Sequence, residues 1–186
     1  MKTVFNFLIK LFASMGGIGY IKFAPGTLAS LATLALFYAL NPFAYGVWSV
    51  LVPVLVLSWV ICIFADKIFD GHDNSKIVID EFAGLLVCFA FIDFDLITLC
   101  IGFMLFRIFD IAKPWPISFV DRNIKGGFGV LLDDLVAGLI SGAIIAGLKI
   151  LLISCRNVHS LPRHLFPQSL GNFVYMHLRK RTEKNI

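Results

Sequence analysis

Eight charged side chains crowd into residues 107–138: Arg107, Asp110, Lys113, Asp121, Arg122, Lys125, Asp133 and Asp134. A second acidic pair, Asp80-Glu81, stands upstream, preceded by His72-Asp73. The two kinds of group suit two kinds of ligand. Carboxylates hold a hard cation, whereas Arg and Lys hold the oxygens of a phosphate. Donor sets made only of oxygen suit Mg²⁺, which commonly binds through one or two carboxylates together with a substrate phosphate. Zinc fits poorly, because the polar loops offer His72 and no cysteine. The pattern therefore points to a cation site beside an anion site.

The elements that must position these groups are apolar helices. Of 186 residues, 59% are hydrophobic and 15% charged, with a mean hydropathy of +0.87. A soluble domain is nearer to about 25% charged. The expected fold is all-α: a polytopic membrane bundle of about five membrane helices, over 23–40, 43–65, 77–92, 96–112 and 131–153. Residues 1–19 read as an N-terminal interfacial helix rather than a cleavable signal peptide. Pro25 and Gly26 are expected to precede the first membrane helix, with Thr27 as its N-cap. Pro53 should kink the second, 93–95 should form a turn, and 114–129 a loop. Gly138, Gly142 and Ala146 give the last helix either a small-residue face for close packing or simply the glycine content that membrane helices tolerate.

Helical rise then sets depth. Asp80, Arg107 and Asp110 lie 14, 13 and 16 residues from Phe94 in the expected turn. At about 1.5 Å per residue, the hairpin returns all three to nearly one level. Arg107 and Asp110 share a helix face. Asp133-Asp134 is expected to open the last helix at the same level. A phosphate ester whose tail lies in the bilayer is the natural substrate for charge gathered at that depth.

Each element also has a plainer use. Either acidic pair could cap its helix, although a cap needs only one carboxylate. Arg107 could be a snorkelling anchor or a simple intrahelical partner of Asp110. Gly126-Gly127 could cradle an anion with backbone N–H groups, or simply turn the chain.

The excess positive charge belongs to the C-terminal tail. Residues 1–153 carry 10 basic and 11 acidic residues, and residues 154–186 carry 6 basic and 1 acidic. Without a basic stripe and stacking aromatics in the core, nucleic-acid binding is not expected. With five spans, the lysines of the N-terminal segment and of the two long loops share one side, which the positive-inside rule assigns to the cytoplasm. The same count leaves the basic tail on the opposite side, against that rule. Leu170, Phe173, Val174, His177 and Leu178 suggest a surface helix in the tail. The four cysteines, lacking CxxC spacing, imply nothing about redox compartment.

Three blocks resemble the phosphatidylglycerophosphatase A family of bacterial membrane lipid phosphatases. The first is Ala24-Pro25-Gly26-Thr27 with Ala29-Ser30. The second is His72-Asp73 followed by Ile77 to Gly84 around Asp80-Glu81. The third runs from Phe106-Arg107 through Asp110, Lys113-Pro114-Trp115-Pro116, Asp121-Arg122, Gly126-Gly127 and Gly129 to Asp133-Asp134 and Ala137-Gly138. Ala29 and Ala83 stand where the family usually has glycine and valine. The resemblance covers about residues 12–153 and implies a membrane-embedded phosphatase domain over 1–153, with a tail, 154–186, of no assigned role. It implies Mg²⁺-dependent hydrolysis of phosphatidylglycerophosphate to phosphatidylglycerol and phosphate, at the cytoplasmic side of a bacterial inner membrane.

On that resemblance, Asp80, Glu81, Asp133 and Asp134, with Asp73, are expected to hold Mg²⁺. Arg107, Lys113 and Arg122 are expected to neutralise phosphate, and Asp110 to orient Arg107 or act as a base. Pro25, Gly26, Thr27, Gly126 and Gly127 complete the expected substrate contacts. Two other classes remain. A Mg²⁺- or proton-coupled transporter would spread its charges through the midplane and show related halves. A phospholipid-alcohol transferase would need a nucleotide-activated lipid.

Overall fold

Proline placement, glycine content and apolar period decide where the helices of this chain begin and how closely they pack. A computed structural model describes residues 2–41, 46–69 and 74–160, with side chains through 152. All regular structure among the described residues is helical: α1 (Lys2–Ala13), a 3-10 turn (Ile18–Tyr20), α2 (Pro25–Leu40), α3 (Val47–Ile68), α4 (Ile79–Phe89), α5 (Leu96–Ala112), α6 (Ile117–Asn123) and α7 (Gly127–Ser160). The chain divides into two units, residues 1–147 and 148–186. Of the second, only residues 148–160 are described, and they are helical. His72, Asp73, Cys155 and the expected surface helix of the tail lie outside the side chains described.

Among the described residues, two helices are long and apolar enough to cross a membrane, Val47–Ile68 and the Gly127–Leu152 part of α7. With 16, 11 and 17 residues, α2, α4 and α5 fall short of the roughly 20 that a full span takes. Of the five expected membrane helices, two thus have spanning length among the described residues, and α2, α4 and α5 are shorter.

Three local expectations change. Thr27 does not cap α2, because the helix already starts at Pro25, where a missing N–H costs nothing and φ is preset. Residues 114–129 are not all loop: Pro116 stands at the N-cap of α6, whose Ile117 is fully buried. A proline that ends one helix can equally start the next. Lastly, α7 begins at Gly127, so Asp133 and Asp134 lie past its first turn. Capping therefore does not account for that pair, since the free N–H groups belong to the first turn. The turn residue Asp95 does cap, accepting a 2.9 Å hydrogen bond from the Thr98 N–H.

The central element is α4. It is buried from Ala83 through Phe89 and packs against α2, α3 and α5. Its approach to α7 is closest at two glycines. A Cβ on Gly138 would collide with the Gly84 carbonyl oxygen and lie 2.8 Å from its carbon. Gly84 in turn sits against the Asp134 carbonyl, 2.6 Å from where its own Cβ would be. The small-residue face of α7 thus lets the backbones touch and places Asp134 beside the start of α4. Gly138→Ala is expected to cost about 1–3 kcal/mol through overpacking against a backbone that cannot rotate aside. Thermal unfolding in detergent checks this, and an unchanged midpoint would remove the argument for a tight crossing.

The start of α4 is tied from the other side. The Val78 N–H donates to the Ala13 carbonyl at 2.9 Å, and Gly19 packs on the Lys76 carbonyl. Phe5 of α1 meets Phe64 of α3 edge-on, with ring centroids 5.2 Å apart. These contacts hold the Asp80-Glu81 turn against a fixed frame.

Candidate active site

The first turn of α2, the first turn of α4, the last turns of α5 and the second turn of α7 enclose one cavity of about 320 Å³. Pro25, Gly26, Thr27, Asp80, Glu81, Arg107, Asp110, Lys113, Asp133 and Asp134 all line it. Ser75, which no motif in the sequence singles out, lines it too. Its signal is the Asn74-Ser75 turn, in which the Asn74 side chain accepts from the Lys76 N–H at 3.1 Å and donates to the Phe69 carbonyl at 3.1 Å.

Three carboxylates meet in this cavity. Asp80, Glu81 and Asp134 each offer an oxygen, and these oxygens lie within 4.8 Å of one another. Asp80 and Asp134 are only 6% and 4% exposed. At such a separation each ionised pair repels by on the order of 3 kcal/mol at an effective dielectric constant of 20. Three pairs together approach the whole net stability of a typical domain, about 5–15 kcal/mol. The cluster therefore calls for a cation or for protons. Glu81 Oε2 is buried and has no hydrogen-bond partner among the described residues. An all-oxygen donor set with one unsatisfied buried oxygen fits a hard cation.

Beside the acids lies one half-buried guanidinium. Arg107 Nη1 is 2.7 Å from Asp110 Oδ2 and donates to Ser30 Oγ at 3.4 Å, while Nη2 donates to Thr27 Oγ1 at 3.4 Å. Its Nε is buried without a partner among the described residues. Gly26 makes room for this arrangement: a Cβ there would collide with Glu81 Oε1 and lie 3.4 Å from Arg107 Nη2. Thr27, inside the helix rather than at its cap, uses its hydroxyl to aim Arg107.

The remaining candidates are placed differently. Lys113 Nζ sits 2.6 Å from both Asp121 Oδ1 and Asp133 Oδ2. Burial works against the Lys113 ammonium, but its hydrogen bonds to Asp121 and Asp133 outweigh this and hold its pKa above the usual lysine value. Asp133 Oδ1 accepts from the Asp134 N–H at 3.1 Å. Arg122 is exposed on α6 and does not line the cavity. Gly126 lines a smaller cavity of about 170 Å³ with Asp121, Ile124 and Lys125, and this cavity shares Val130 and Asp133 with the main one. Gly127 packs on the Cys62 carbonyl. Sequence spacing gives Asp121 no role, because nothing in the string pairs it with Lys113 across a turn and a helix.

A family model described as phosphatidylglycerophosphatase A matches residues 11–149, a range that holds every residue of this cavity. A phosphatidylglycerophosphatase A of Escherichia coli (strain K12) is 37% identical over 131 residues, covering 69% of this chain and 76% of the relative. One from Haemophilus influenzae is 31% identical over 144 residues, covering 76% of this chain and 88% of the relative. A Bacteroides thetaiotaomicron protein, named provisionally as a phosphatidylinositol-3-phosphatase, is 37% identical over 150 residues, covering 76% of this chain and 93% of the relative. No solved structure matches the chain.

Proposed function

The chain belongs to the phosphatidylglycerophosphatase A family, and from that premise we propose that it hydrolyses phosphatidylglycerophosphate to phosphatidylglycerol and phosphate in a Mg²⁺-dependent reaction. The observation that carries this reading is the meeting of Asp80, Glu81 and Asp134 with Arg107 in one cavity. Asp80, Glu81 and Asp134 would hold the ion. When bound, Mg²⁺ supplies polarisation of the phosphoryl group and a lowered pKa for an attacking water.

The residues of the chain do the rest. Arg107 lines the cavity with its guanidinium held as a fixed fork, and would balance the negative charge on the phosphate oxygens as the P–O bond to glycerol breaks and the bond to water oxygen forms. Asp110, Thr27 and Ser30 keep that fork from rotating. Asp110 is read as the orienting partner of Arg107, given their 2.7 Å contact. The proton of the attacking water is needed by the leaving glycerol oxygen, so the products are a free alcohol and inorganic phosphate.

A lipid substrate agrees with the surface of α5. Ile97, Ile101, Met104, Ile108 and Ile111 are all exposed and lie at alternating four- and three-residue steps along one face. Ile111 also lines the cavity. Acyl chains lying along this stripe would lead the headgroup to Arg107. The same reading places the protein in a bacterial inner membrane as a multi-pass enzyme, with residues 1–153 as the phosphatase domain and the cavity on the lysine-rich cytoplasmic side. The transporter alternative has no support, since the charged groups gather in one cavity and the matched family is a phosphatase.

Phosphate release from phosphatidylglycerophosphate by detergent-solubilised protein, with Mg²⁺ and with a chelator, tests the proposal. Release is expected only with Mg²⁺. Release that survives chelation overturns the metal role, and no release under either condition overturns the substrate. Phosphatidylinositol 3-phosphate, suggested by the Bacteroides relative's name, is the second substrate to assay.

A further inference from the structure

We propose that Lys113 is a positioning residue rather than a phosphate ligand: anchored by Asp121, it braces Asp133 and through it the metal-holding Asp134. This rests on the reading of the cavity as a metal-dependent phosphatase site. Lys113 Nζ reaches two carboxylates from two different helices, Asp121 on α6 and Asp133 on α7, each at 2.6 Å. Its backbone is pinned where α5 ends, in the left-handed region at φ 42°, with its N–H donating to the Phe109 carbonyl at 2.8 Å. One ammonium thus ties α5, α6 and α7 together. Asp121 is itself steadied, its carbonyl accepting from Lys125 Nζ at 3.1 Å.

The consequence for Asp133 is specific. Its Oδ2 accepts a hydrogen bond from the Lys113 ammonium, and its Oδ1 accepts the Asp134 N–H at 3.1 Å. Both oxygens already have partners, and the three carboxylates that gather are Asp80, Glu81 and Asp134, without Asp133. A single positive charge between two negative ones leaves no surplus for a phosphate dianion. Arg107 differs: among the described residues it has one carboxylate partner rather than two, and it lines the main cavity beside the three gathered acids. The two cations therefore divide the work: Arg107 faces the anion, and Lys113 fixes the carboxylate that orients a metal ligand.

Groups that orient metal ligands typically contribute about 10–100-fold to metal affinity. Mn²⁺ serves as the probe, its binding to the full chain in detergent followed by electron paramagnetic resonance without substrate. Lys113→Met is expected to weaken Mn²⁺ binding by at least about 10-fold. Lys113→Arg, which keeps a cation able to hold two carboxylates, should restore most of it. Asp121→Asn, which lies outside the main cavity, should weaken binding in the same direction by less. A Lys113→Met protein that binds Mn²⁺ as the wild type does, while its inhibition by inorganic phosphate weakens, makes Lys113 a phosphate ligand and overturns the proposal. Should Lys113→Met fail to fold, Asp121→Asn decides: wild-type Mn²⁺ affinity there removes the brace. A wild-type protein that binds no Mn²⁺ instead overturns the metal reading itself, and the brace falls with it.

Discussion

Asp134→Asn should lower Mg²⁺-dependent phosphate release by more than about 100-fold, because a direct ligand must matter more than the outer groups, worth roughly 10–100-fold, that orient it. Asp134 is the cleanest of the three acids to test. Asp80 also accepts the Glu81 N–H at 3.0 Å at the start of α4, so its loss would disturb a helix terminus as well. Asp134 lies past the first turn of α7, where no terminal N–H depends on it. Asparagine keeps the shape and removes one charge from a cluster whose oxygens lie within 4.8 Å. Two of the three repulsive pairs then vanish, so the metal-free variant should unfold at or above the wild-type temperature. At the same time, the stabilisation that a bound ion provides should be lost, since it scales with ligand concentration over Kd. Thermal unfolding with and without Mg²⁺, measured alongside phosphate release, separates these effects. Full activity together with an unchanged Mg²⁺-induced shift would show that Asp134 holds no ion.

Arg107→Lys should reduce kcat/KM for the lipid phosphate by about 100–1,000-fold, the range seen when a preorganised donor to a transition-state oxyanion is removed. Charge alone is conserved in this exchange, and charge alone is not sufficient. Arg107 contacts Asp110, Ser30 and Thr27 through two nitrogens of one rigid plane. An ammonium has no plane, and three donors at one point cannot reproduce a fork. Inhibition by inorganic phosphate should weaken in parallel, while Mn²⁺ affinity stays near that of the wild type. That split distinguishes a defect at the anion from one at the metal, and wild-type kcat/KM in the lysine variant would exclude Arg107 from the phosphate site.

Much of this arrangement is legible one residue at a time. The four-residue spacing of Gly138 and Gly142 anticipates a close helix crossing, and the partner of Gly138 is Gly84 of α4. Counting helical rise from Phe94 anticipates that Asp80, Arg107 and Asp110 stand level, and all three line one cavity. The bounds of α5, 96–112, follow from an apolar run between Asp95 and Lys113-Pro114. Other features depend on information the string does not carry. The span count hinges on length, and α4, at 11 residues and largely buried, is shorter than the roughly 20 that a full span takes. Residues 117–123 are apolar enough to pack but too short for a period to announce them.

The division between Arg107 and Lys113 shows where the boundary falls. Sequence alone determines that the chain is an apolar helical protein, that its acids and bases crowd into a few short segments, and that the pattern is that of a lipid phosphatase family. These follow from residue type and from the 1.5 Å rise of a helix, which are local properties. Which acid meets which base is decided only by the tertiary structure. Asp133 and Asp134 are neighbours in the chain and equal in chemistry, yet 3.6 residues per turn point successive side chains in different directions. One therefore meets Lys113 at 2.6 Å, and the other meets Asp80 and Glu81. Lys113 could have served a phosphate until Asp121, eight residues on and returned by α6, occupied it. Electrostatic partnership falls off over a few ångströms, and distances of that size are set by how helices cross.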